Sequence, residues 1–109
     1  FPLSGNPVQR GNAMIRHTVV FRLKHPRGSA EEAAFLQEAT RLANIPGVQK
    51  FERLRQVGKK NDYTFGFSME FADQAAYDGY DRHPDHVAFV RDRWASEVET
   101  FLEIDYAPM

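Results

Sequence analysis

Tyr80, His83 and His86 stand together as Tyr-x-x-His-Pro-x-His. An imidazole changes charge near neutral pH, so it can take up or return a proton under ordinary conditions. A phenol titrates far higher and serves instead as a hydrogen-bond donor to an oxygen. Pro84 suits the first position of a helix, which would set His86 in the first turn. There the positive end of the helix dipole disfavours the imidazolium. Asp85 beside it pushes the other way, so the residues leave the net direction open. The same residues also have a structural reading. His86 can bond a backbone group at a helix start, and Tyr80 can be a core tyrosine with its hydroxyl satisfied locally.

Histidines three apart raise the question of a metal. His83 and His86 need at least one more ligand, and Asp81 and Asp85 are the nearest carboxylates. Pro84 interrupts the helix between the two rings, so they need not converge, and no metal site is expected. His17 lies on the apolar face of a strand, where a satisfied core histidine is the expectation. His25, next to Pro26, reads as loop surface.

The elements that must position these residues follow from periodicity. Ile15 to Lys24 alternates, with Ile15, His17, Val19, Phe21 and Leu23 on one side, which is a strand with one buried face. Ser29 offers an N-cap for a helix from Ala30 to Ala43 carrying Phe35, Leu36, Ala39 and Leu42. Pro46-Gly47 ends it. A second strand, Val48 to Val57, carries several charges, as a sheet edge does. Gly58 to Asp62 is a polar hairpin loop, and Tyr63 to Phe71 is the clearest strand, with Phe65, Phe67 and Phe71 able to line a core or a cavity. Asp73 caps a helix over Gln74–Arg82. His83 precedes a proline and so leaves the helical region. A further helix runs from Pro84 to Ala95 with Val87, Val90, Arg91 and Trp94 along one side. Glu97 to Tyr106 is the last strand, with Val98, Thr100, Leu102, Ile104 and Tyr106 in one row.

The order β-α-β-β-α-β predicts an α+β, ferredoxin-like fold, a four-stranded antiparallel sheet with both helices on one face. Val20, Phe51, Val57 and Phe101 put apolar bulk on the opposite parity. That second face is either semi-polar and solvated or covered by another copy in an isologous contact. Two curved sheets packed that way can hold a small apolar ligand between them.

The 109 residues suffice for one domain. A net charge of −1 gives no electrostatic footprint for nucleic acid or for an anionic membrane surface. Without cysteine there is no disulfide, thiolate nucleophile or Cys-ligated zinc. No apolar run is long enough to span a bilayer. Residues 1–13 lack periodicity and an apolar signal core, and are expected to be a tag remnant or disordered arm before a native start at Met14. The cytoplasm is the default location.

Three stretches, HTVVFRLK (His17–Lys24), IPGV (Ile45–Val48) and YDRHPDHVAF (Tyr80–Phe89), together resemble the stress-responsive dimeric α/β-barrel (Dabb) family. The aromatic strand YTFGFSMEF and Asp105 near the end of the last strand fit as well. The resemblance covers nearly all of Met14 to Met109. It implies a ferredoxin-like fold, a homodimer forming a joint β-barrel, and no obligatory metal, nucleotide or other cofactor. Some members are enzymes, among them a plant polyketide cyclase of the olivetolic acid type, which closes a ring by aldol condensation without a cofactor. Its catalytic pair, carried over by position, is Tyr80 and His86, and its cavity-facing first-strand histidine is His17. An aldol closure needs a base for a proton α to a carbonyl and a donor for the resulting oxyanion. The expected substrate-binding residues are His17, His83, Phe65 and Phe67. Three functions stay open: a cofactor-free acid–base enzyme, a stress-related binding dimer without turnover, and a haem or quinol monooxygenase of the same dimeric fold.

Overall fold

Alternating aromatic residues on two neighbouring strands build the floor on which the helices rest. The structure, a computed structural model, describes residues 13–109. The expected arm over residues 1–13 therefore lies outside the described residues, except for Ala13. Strand β1 (Ile15–Leu23) pairs antiparallel with β3 (Phe65–Phe71) on one side and β4 (Val98–Tyr106) on the other. Strand β2 (Gln49–Arg55) pairs antiparallel with β3, giving the order β2-β3-β1-β4 with β2 and β4 as open edges. This is the ferredoxin-like arrangement expected from the element order, and the sheet of the single chain does not close on itself.

Local chemistry sets the helix starts. Helix α1 (Ala30–Ala39) begins where the Ser29 hydroxyl accepts the Glu32 N–H at 3.1 Å, and α2 (Gln74–Arg82) where the Asp73 carboxylate accepts the Ala76 N–H at 2.9 Å. Both caps satisfy amides that the helix itself leaves bare. The continuous helix expected to Ala43 instead tightens into a 3₁₀ turn over Thr40–Asn44, where the Thr40 hydroxyl donates back to the Gln37 carbonyl at 2.6 Å. Gly47, at φ 92°, then turns the chain into β2.

Phe21, Phe35, Phe71 and Met69 are fully buried between sheet and helices. The Phe21 ring lies 4.7 Å from Phe67, 5.8 Å from Phe35 and 5.0 Å from Trp94, so one aromatic residue ties three elements together.

Three irregularities change which residues face the core. Helix α3 (Pro84–Phe89) passes into a π turn over Val90–Trp94 and a last turn, α4 (Ala95–Glu97). A π turn bonds i to i+5, so the inward residues become Phe89 and Trp94, five positions apart, and Val87 is left 46% exposed. In β4, Val98 pairs with Leu23 but Thr100 pairs with Arg22, which leaves Glu99 as a bulge. The row expected from Val98 to Tyr106 is thereby split. Val98 is buried under the helices, whereas Leu102, Ile104 and Tyr106 share the open face with Val20. Phe101 consequently lies on the helix side, edge-on to Trp94 at 5.5 Å. In β2 the register shifts between Gln49 and Glu52, with Lys50 at φ 51°, and Phe51 turns inward to Phe67 at 5.7 Å. Val57 lies beyond β2 and is exposed. The open face thus owes its apolar character to Val20, Leu54, Leu102, Ile104 and Tyr106, not to Phe51, Val57 and Phe101.

Among the described residues, no helix is long and apolar enough to cross a membrane.

Candidate functional site

Between the helix side of the sheet and α2 and α3 lies a cavity of about 250 Å³. Strand β1 contributes His17 and Val19 to it, β3 Phe67 and Met69, and β4 Phe101 and Glu103. The helical layer contributes Tyr80, Asp81, His86 and Phe89, with Val90 and Trp94 from the π turn and Leu42 from the 3₁₀ turn. The walls are mostly apolar, with a few convergent polar groups, as ligand pockets generally are.

Tyr80 is 2% exposed, and among the described residues its hydroxyl has no protein hydrogen-bond partner. Burial, aided by the negative charges of Asp81 and Glu103, pushes its phenol well above the ordinary tyrosine range. It therefore stays protonated and acts as a donor. The ring of His86 packs 4.4 Å from that of Tyr80, centroid to centroid. His86 Nδ1 stands 3.1 Å from the backbone carbonyl of Asp81. A carbonyl only accepts, so Nδ1 carries the hydrogen, and in the neutral ring the lone pair is on Nε2. Pro84 at the first helical position and the break at His83 make this contact: the chain leaves α2, turns once and returns His86 toward the end of α2.

His17 is buried and also lines the cavity. Its Nδ1 donates to Asp105 Oδ1 at 2.6 Å, and the Tyr77 hydroxyl donates to Asp105 Oδ2 at 2.8 Å. The Tyr77 oxygen is also 3.0 Å from His17 Nδ1. Burial, reinforced by Asp105, pushes the Tyr77 phenol up as well. The carboxylate fixes the orientation of the His17 ring and commits its Nδ1.

Of the residues expected from sequence, Tyr80, His86, His17 and Phe67 meet around one cavity. Phe65 and His83 are placed elsewhere. Phe65 packs on Phe21 at 5.9 Å, beneath the Arg55 guanidinium. His83 is the N-cap of α3, where its Nδ1 accepts the Asp85 N–H at 3.1 Å. His25 is half-buried against Glu97 at 2.7 Å instead of forming loop surface. Sequence reasoning missed Tyr77 as a partner of the His17–Asp105 pair, and Glu103 and Trp94 as cavity walls. Their signal was the shared parity of Phe101, Glu103 and Asp105, but the side on which that parity falls depends on the bulge at Glu99. Among the described residues no group of three histidine, aspartate or glutamate side chains is placed to hold a metal ion.

The model of the stress responsive A/B barrel domain (Dabb) matches residues 15–108. The chain belongs to the Dabb family. A Dabb-family protein with a ferredoxin-like fold from Mesorhizobium loti MAFF303099 is 66% identical, with a TM-score of 0.88 over 89% of this chain and 98% of that one. More distant structures share the Dabb domain's fold. The hydroxynitrile lyase of Passiflora edulis is 16% identical, with a TM-score of 0.78 over 90% of this chain and 95% of that one. A dimeric ferredoxin-like protein from Bacteroides fragilis NCTC 9343 is 22% identical, with a TM-score of 0.68 over 87% of this chain and 96% of that one. No curated protein matches the chain.

Proposed function

We propose that this Dabb domain works as a homodimer that binds a small, largely apolar molecule in its cavity and performs cofactor-free acid–base chemistry on it. His86 is the base and Tyr80 the hydrogen-bond donor. The observation that carries this reading is a buried Tyr80 hydroxyl with no protein partner among the described residues, beside a histidine whose Nδ1–H is tied to a carbonyl. A buried hydroxyl without a partner costs stability, and an oxygen atom of a ligand would satisfy it.

The fitting reaction is an aldol-type ring closure of the polyketide-cyclase kind. His86 Nε2 removes a proton α to a carbonyl, and the enolate oxygen accepts a hydrogen bond from Tyr80. The enolate carbon attacks a second carbonyl of the same molecule, and the imidazolium returns its proton to the new alkoxide. General-base help of this kind contributes roughly 10²- to 10⁴-fold. Pairing is supported by the exposed Leu54, Leu102, Ile104 and Tyr106 on the open sheet face. Two such faces packed together would complete a barrel and remove the patch from water.

The test is deuterium wash-in at the methyl group of acetophenone in D₂O, followed by NMR. Wild-type protein should accelerate exchange, His86→Ala should lose roughly 10²-fold or more of that acceleration, and Tyr80→Phe should lose less. If both variants exchange like the wild type, these roles are wrong. If the wild type gives no exchange above buffer while small aromatics still bind, the domain is a binding dimer without turnover.

A further inference from the structure

The cavity's polar groups are unbalanced in a way that selects for charge. Two residues with carboxylates, Asp81 and Glu103, line it, and among the described residues no lysine or arginine does. Both act on the same point inside, since both raise the Tyr80 phenol. The donors and acceptors are equally one-sided. The Tyr80 hydroxyl and the Trp94 indole N–H donate, whereas the two carboxylates and the Nε2 atoms of His86 and His17 accept. A carboxylate or phosphate entering here would find two neutral donors and two like charges. An ammonium group would find several acceptors and no repelling cation.

The remaining walls favour the same class. Phe67, Tyr80, Phe89, Trp94 and Phe101 surround the space with ring faces and edges. Aromatic surfaces attract cations through the ring quadrupole, and more strongly where water is excluded. We infer that the cavity selects organic cations, so that the carbonyl compound it takes carries a protonated amine on an aromatic or arylalkyl frame. The inference rests on the reading of this cavity as the ligand site and adds the chemical class that the site takes. A volume of about 250 Å³ suits one ring with a short side chain.

Trp94 is the single tryptophan of the chain and lines the cavity, so its fluorescence reports occupancy directly. Three probes of matched shape separate the cases at neutral pH: phenethylamine, 2-phenylethanol and phenylacetate, titrated into the full chain. The amine is expected to bind roughly tenfold more tightly than the alcohol, and phenylacetate more weakly than both. In the Glu103→Gln, Asp81→Asn double variant the amine-to-alcohol ratio should fall toward one. These side chains are exposed, and the Asp81 carbonyl that holds His86 is retained. A second measurement needs no variant: raising salt to about 1 M should weaken the amine and leave the alcohol unchanged. If phenylacetate binds as well as phenethylamine, or if the amine's advantage survives both the double variant and high salt, the charge selection is overturned. If the alcohol binds and the amine gains nothing over it, the ligand site stands and the selection alone fails. If none of the three changes Trp94 emission, both readings fall.

Discussion

His17 on β1 and Asp105 on β4 face each other across the strand ladder, joined by a 2.6 Å bond from Nδ1 to Oδ1. The second carboxylate oxygen takes the Tyr77 hydroxyl from α2, so one side chain at a sheet edge holds both a buried imidazole and the helix above it. Asp105→Asn leaves one good acceptor for two donors, and a buried donor without a partner costs about 1–3 kcal/mol. Urea unfolding should show a loss in that range. Tyr77→Phe should cost less, about 0.5–1.5 kcal/mol, because the carboxylate is 38% exposed and water can replace the phenol. Unchanged midpoints in both variants would show that the network holds nothing.

Much of this architecture is written locally. The rows Val19-Phe21-Leu23 and Phe65-Phe67-Met69 need only a period of two, and the Ser29 and Asp73 caps need only their own helix. The meeting of Tyr80 with His86 was legible through the Pro84 break and the family motif. The bulge at Glu99, the shift at Lys50 and the π turn over Val90–Trp94 were not, because each is set by packing between elements distant in sequence. Each one moves aromatic side chains from one side of an element to the other. Phe51 and Phe101 therefore went to the wrong face, and the charged half of the cavity, Glu103, went unseen.

Glu97 makes the acid limb of stability specific. Burial alone would raise its carboxyl, but hydrogen bonds from Arg93 and His25 outweigh burial and hold it below its ordinary 4.5. A carboxyl lowered in the folded state stabilises the fold above its unfolded value, and that contribution fades as pH falls through the folded value. The stability gap between wild type and Glu97→Gln should be constant above roughly pH 5 and narrow below it, by about 1 kcal/mol. Urea midpoints measured across that range check it. A gap that widens on acidification would reverse the assigned sign.

The open sheet face carries the dimer reading. Leu102 and Ile104 lie on β4 at 48% and 40% exposure, opposite Val20 and Thr18 of β1. Leu102→Asp with Ile104→Asp would bury like, mutually repelling charges in any face-to-face contact and leave the helix-side core untouched. Sedimentation should show the wild type as a dimer and the double variant as a monomer at the same concentration. The wild type's thermal midpoint should also rise with protein concentration, and the variant's should not. A double variant that remains dimeric would move the interface to another surface.

His83 tests how the motif is held together. Its Nδ1 accepts the Asp85 N–H at 3.1 Å, so the side chain acts as the N-cap of the helix that carries His86. An N-cap replaced by alanine costs about 0.5–2 kcal/mol. Asparagine restores an acceptor at nearly the same place. His83→Ala should therefore lower the urea midpoint by an amount in that range, and His83→Asn should recover most of it. Two variants that lose stability equally would mean that His83 is held for its ring packing and not for its lone pair.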